Sequence, residues 1–209
     1  MAEAYIIDAC RTPRGIGKVG KGALAHIHPQ QLAATVLKAL AERNKLDTAT
    51  VDDIIWGTSS QRGAQGADLG RMAALDAGYD VKASGVTEMM SYTAASADPK
   101  TPPVMDAGNT RLRASHPQTQ QGVCADAIAT LEGIDREALD NLAYVSQQRA
   151  DRAIKEGRFD KSVVPVYNED GSLALDHEEF PRPSTTMETL GGLKTVFNMY
   201  MDIPVDDQG

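Results

Sequence analysis

Cysteine is scarce in this chain: 209 residues include only Cys10 and Cys124. Two thiols make neither a disulfide framework nor a zinc cluster, and their scarcity points to a reducing compartment, the cytoplasm. No apolar stretch is long enough to span a bilayer as a helix. Excess positive charge is also missing. The formal net charge is −8, so no global field draws in nucleic acid or an anionic membrane. The opening Met1-Ala2-Glu3-Ala4-Tyr5 has no basic region and no long apolar core, so a secretory signal is not expected. Internal repeats and low-complexity tracts are absent too. What remains is ordinary: 42% hydrophobic and 24% charged residues, a globular balance that argues against wholesale disorder. The length suffices for one or two domains with a core.

The first part of the chain alternates strand and helix signals. Tyr5 to Cys10 is short and mostly apolar, and reads as a buried strand ended by Arg11-Thr12-Pro13. Glycines at 15, 17, 20 and 22 make the next stretch a loop. Pro29 opens a helix at a first-turn position, with Leu32, Val36, Leu37 and Leu40 as its apolar stripe. Ile54 to Gly57 reads as a second strand, and Asp68 to Ala77 as a second helix stopped by Gly78. This order predicts an α/β layered domain with parallel pairing. Val81 to Val86 starts a third strand, and the stretch from Ala94 to Thr110 reads as irregular. Gly122 to Leu131 and Asp135 to Glu156 are predicted helices. Asp135 is the N-cap of the second, Leu139, Leu142, Ala143, Ser146, Ala150 and Ile154 line one face, and Gly157 ends it. Ser162 to Tyr167 and Leu173 to Asp176 flank Asn168-Glu169-Asp170-Gly171 as a hairpin. A short helix is predicted near Met187 to Leu193.

No catalytic constellation emerges from these residues. Gly15-Ile16-Gly17-Lys18-Val19-Gly20 matches a dinucleotide fingerprint after a strand, but the helix begins too late and no ribose-binding acid follows a second strand. A flexible surface loop is the better reading. Cys10 reads as a small core residue. Cys124 near a helix start could be a stabilised thiolate, yet a nucleophile also needs a base and oxyanion donors. His116 is the only histidine near it in sequence, so a packed, inert thiol is expected. His26, His28 and His177 fit no metal-ligand spacing. Asp52-Asp53 and Glu178-Glu179 read as solvated faces or turns.

Several stretches, in order, resemble the thiolase family. Tyr5-Ile6-Ile7-Asp8-Ala9-Cys10-Arg11-Thr12-Pro13 is similar to the family's opening strand and Arg-Thr-Pro turn. Asp52 to Gly57 resembles the second strand, Gly70 to Gly78 the following helix, and Glu88-Met89-Met90-Ser91 the end of the strand after the nucleophile helix. Gln121 to Ala129, Ser146-Gln147, Gly157-Arg158-Phe159, Val163-Val164-Pro165 and Arg182 to Glu188 resemble the inserted loop domain and its continuation. The resemblance implies an α/β chain: an incomplete first half of the layered αβαβα fold at residues 1–93, with the loop domain at residues 94–209. It implies an acyltransferase acting on acyl-CoA thioesters, with CoA thioester as substrate and no separate cofactor. Arg182, Thr189 and Phe197 match positions around CoA. The family's homodimers or tetramers are the expected assembly, with no nucleic-acid or membrane partner.

The departures are as informative. In the family a strand ending in the nucleophilic cysteine, its helix and a further strand lie between the equivalents of Thr87 and Glu88. Here these two residues are adjacent. The family's C-terminal domain, with its activating histidine and acid/base cysteine, also has no counterpart. No catalytic residue is therefore assigned, and an inactive form is expected. The alternative is a non-catalytic CoA-binding remnant or dimerisation partner. Loss of the segment should leave the first sheet short of core, because each large apolar side chain contributes about 1.5–3 kcal/mol when buried.

Overall fold

Pro29 lacks the N–H that a first helical turn leaves unpaired anyway, and its fixed φ suits the helix. It begins helix α1 (Pro29–Asn44), whose N-cap His28 accepts the Gln30 N–H through Nδ1 at 3.2 Å. The computed structural model in which this is seen describes residues 3–59, 61–89, 109–116 and 121–202. They fall into two compact units: Met1–Tyr92 with Gly157–Phe180, and Thr93–Glu156 with Pro181–Gly209.

The first unit holds strand β1 (Asp53–Thr58), helix α2 (Leu69–Asp76) and strand β2 (Ser84–Met89) after α1. β1 and β2 pair in parallel, from Asp53 opposite Ser84 to Thr58 opposite Met89. The α/β reading with parallel pairing is thus realised. Asp68 caps α2, its Oδ1 accepting the Arg71 N–H at 3.2 Å. Leu37 and Ala33 of α1 meet Ile54, Ala73, Ala74, Tyr79 and Ala83 in one buried cluster, and the Tyr79 hydroxyl donates to the Leu37 carbonyl at 3.0 Å. A second cluster joins Leu24 and Ile27 to Val166 and Leu175. The last two belong to strands β3 (Val166–Tyr167) and β4 (Leu173–Leu175), which form the expected antiparallel hairpin across Asn168–Gly171.

Among the described residues the sheet is covered on one side only. Ile54 faces the core, but Ile55 is 74% exposed, and Val86, its register partner, is exposed beside it. Parallel sheets normally have both faces covered. The strand expected at Tyr5–Cys10 does not form. Ile6 is 95% exposed, and among the described residues the one bridge nearby is Arg11 with Val163. An apolar run becomes a strand only where a neighbour takes its backbone bonds, and among the described residues none pairs with 5–10.

The second unit is helical: α3 (Thr110–Ser115), α4 (Gln121–Leu131), α5 (Arg136–Lys155) and α6 (Met187–Gly191). The region from Ala94 to Gly108, read as irregular, lies outside the described residues. Asp135 caps α5 through Oδ1 on the Ala138 N–H at 2.8 Å, and Arg136 pairs with Asp140 one turn on at 2.9 Å. The apolar stripe assigned to this helix is not its packed face. Leu139, Leu142 and Ile154 are exposed and only Ala150 of the stripe is half-buried, together with Asp140, Tyr144, Val145, Gln147, Gln148, Asp151 and Ala153. The reason is polar cover from α6 and its flanks. Arg136 donates to the Leu190 carbonyl at 2.8 Å, Gln148 to that of Pro183 at 3.2 Å, and Gln147 accepts the Arg182 N–H at 2.7 Å. Every buried residue among those described lies in the first unit.

Candidate functional site

A buried carboxylate of the first unit joins the Arg-Thr-Pro turn to residues far along the chain. The Glu178 side chain is only 5% exposed and pairs with Arg11 and, at 3.1 Å, with Arg14. Burial pushes its carboxyl up, but the hydrogen bonds from Arg11 and Arg14 outweigh that and hold it below the ordinary range. Arg11 also lies over the Phe159 ring, 5.2 Å from its centre. Glu179 turns the other way and accepts the Ile16 N–H at 2.8 Å and the Ala23 N–H at 3.3 Å. Both acids were expected in solvated faces or turns. They instead tie down residues more than a hundred positions away, a link no local pattern announces. The glycine-rich loop is accordingly fastened at its base rather than free. Two of its amides are already occupied by a carboxylate, which further removes a nucleotide reading.

Two clefts lie in the first unit, one of which adjoins this network. One, of about 520 Å³, runs along Thr12 to Gly17 with Leu24, Leu32 and Phe180. The other, of about 440 Å³, lies between His26, His28, Gln31 and the hairpin turn Asn168 to Asp170. His26 Nε2 and Asn168 Oδ1 are 2.8 Å apart. Among the described residues no three of His, Cys, Asp and Glu gather as metal ligands, and no helix is long and apolar enough to cross a membrane.

Neither thiol is placed as a nucleophile. Cys10 is half-buried with Sγ 3.7 Å from the Val36 carbonyl, and burial pushes its thiol up. Cys124, expected to be packed, is exposed on α4. His116 Nδ1 lies 3.1 Å from Ser115 Oγ.

The three residues matched to CoA positions all lie in the second unit, and none lines either cleft. Arg182 is exposed, its backbone held by Gln147. Thr189 is committed to a capping box: its Oγ1 accepts the Thr186 N–H at 3.1 Å while Thr186 Oγ1 accepts the Thr189 N–H at 3.1 Å. Phe197 is half-buried against α4, where a Cβ on Gly122 would fall 2.3 Å from its ring, so the glycine makes room for it. Tyr200 stands beside it with ring centres 6.3 Å apart.

Comparison with known proteins agrees with the resemblance. The model of the thiolase N-terminal domain matches in two stretches, residues 4–97 and 94–200. The 3-ketoacyl-CoA thiolase of Pseudoalteromonas translucida (strain TAC 125) is 34% identical over 229 positions, covering 95% of this chain and 58% of the relative. That of Shewanella denitrificans is 31% identical, with 95% and 59% covered. The beta-ketoadipyl-CoA thiolase of Acinetobacter baylyi is 32% identical, with 94% and 60% covered. The chain thus spans about three fifths of the length of these curated relatives. An alignment of 229 positions exceeds the 209 residues here, so some residues of that first relative face no residue of this chain.

Proposed function

The chain belongs to the thiolase family, and on that premise we propose that it is an acyltransferase of acyl-CoA thioesters, by Claisen condensation or thiolysis, in a form that lacks its nucleophile. In this reading residues 1–93 stand for an incomplete N-terminal domain and residues 94–209 for the CoA-holding loop domain, of which Gly157–Phe180 folds back into the first compact unit. A thiolase-type reaction needs a cysteine thiolate to attack the thioester, a base to take the α-proton of the second acyl-CoA, and oxyanion donors. The observation that carries the inactive form is the state of the two thiols. Burial pushes the Cys10 thiol up, away from the thiolate a nucleophile needs, and Cys124 stands exposed in the other unit. Losing members of such a catalytic unit removes orders of magnitude in rate.

The same observation favours a second reading, a CoA-binding remnant or dimerisation partner in the cytoplasm. Arg182 would then pair with a CoA phosphate, Phe197 would cover an apolar part of the ligand, and Thr189 would shape the loop through its cap. Thiolysis of acetoacetyl-CoA, followed beside calorimetry with CoA, separates the readings. No turnover is expected. CoA binding that weakens about tenfold in Arg182→Ala, the loss of one charge-assisted contact, supports the remnant. Turnover abolished by Cys10→Ser or Cys124→Ser would overturn both.

A further inference from the structure

Between Ile16 and Ala23 the chain makes an exposed excursion within the first unit and returns to nearly the same point. A Cβ on Gly22 would lie 1.6 Å from the Ile16 carbonyl oxygen, so the two limbs cross at a neck that only glycine admits. The Lys18 carbonyl closes the tip, accepting the Lys21 and Gly22 N–H groups at 3.0 Å each. Apolar burial does not hold the tip down, since residues 17–21 are exposed and Val19 is 93% so. At the neck sits one carboxylate. Glu179 takes the Ile16 N–H from the outgoing limb and the Ala23 N–H from the returning limb. Its own position is fixed from behind, by its N–H on the Arg14 carbonyl at 3.2 Å and by the neighbouring Glu178 pairs.

A carboxylate bridging amides of both limbs acts as a clasp, and hydrogen bonds to an ionised acceptor are roughly twice as strong as neutral ones. We propose that Glu179 is the latch of the 16–23 loop. With it closed, Gly15, Ile16 and Gly17 stay in place as the wall of the larger cleft. Releasing the carboxylate frees the loop and leaves the buried clusters folded. The latch is independent of any acyl transfer and stands even if that reading fails.

Trypsin on the full chain is the test, because Lys18 and Lys21 are both exposed in the loop. In Glu179→Ala, cleavage after these two lysines should rise about tenfold or more relative to cleavage after Lys38 in α1, the effect of losing a charge-assisted bond. Sodium formate, a free carboxylate, should slow it again, and sodium chloride of equal ionic strength should not. Cleavage that rises equally at Lys38, or that responds equally to both salts, overturns the latch. Amide exchange of the unaltered chain decides the matter even if the variant does not fold. Corrected for their intrinsic rates, the Ile16 and Ala23 amides should share one protection factor, well above that of Val19. Protection no higher than that of Val19 sinks the proposal.

Discussion

The two units reach order by different means. In the first, Leu37, Ile54, Ala73 and Tyr79 are buried together, and side chains far apart in sequence, Arg11 and Glu178 among them, pair at close range. In the second, no described residue is buried. Its helices rest on signals within a few residues of each other, the Asp135 cap, the Arg136–Asp140 and Asp151–Lys155 pairs and the Thr186–Thr189 box, and on polar bonds from α5 to the segment around α6. Such features contribute a few tenths to about 1 kcal/mol each, whereas buried apolar side chains contribute about 1.5–3 kcal/mol each. A long, well-signalled helix therefore says little about whether the unit around it is cooperative.

Trp56, the single tryptophan, packs on the first unit's core and reports that unit alone. Leu37→Ala should have the largest effect, about 2–5 kcal/mol, seen as earlier urea unfolding by Trp56 fluorescence with α5 amide protection unchanged. Equal losses in both units would break the contrast. Acid comes next. Because Glu178 is held below its ordinary value, its stabilisation is complete above about pH 4.3, the unperturbed glutamate value, and is lost as pH falls through the lowered one. Glu178→Gln should flatten that acid limb in the Trp56 signal and lower stability at neutral pH. An unchanged acid limb would remove the ion pairs from the account. Asp135→Ala should fray the start of α5 by about 1 kcal/mol, read as lost helical circular dichroism with Trp56 silent. Leu142→Ala should be smallest, within about 0.5 kcal/mol, since that side chain is 67% exposed. A large loss there would mean that the apolar stripe of α5 is packed after all.

The sequence was legible where a structure is announced by its own neighbours. Pro29, Asp68, Asp135 and the Asn168–Gly171 turn each sit at the end they signal. It was illegible where a distant partner decides. Tyr5 to Cys10 has strand composition and no strand beside it among the described residues. The face of α5 lined by Leu139, Leu142 and Ile154 is legible in the spacing, but that it stays exposed is not, because the segment covering α5 offers carbonyls and amides to its polar residues. Glu178 and Glu179 look like any surface acids until residues 11–23 are laid against them. Of the residues matched to CoA, Thr189 and Phe197 had a structural duty that spacing alone did not reveal, the capping box and the contact on Gly122.

The side-by-side Ile55 and Val86 on the open side of the two-stranded sheet also shape how the molecules behave in a crowd. Backbone groups along an unpaired strand edge invite another strand, and an apolar face next to that edge rewards the encounter. Both are present here among the described residues. Such an edge predicts self-association of this chain that grows with concentration, which light scattering over a dilution series would check.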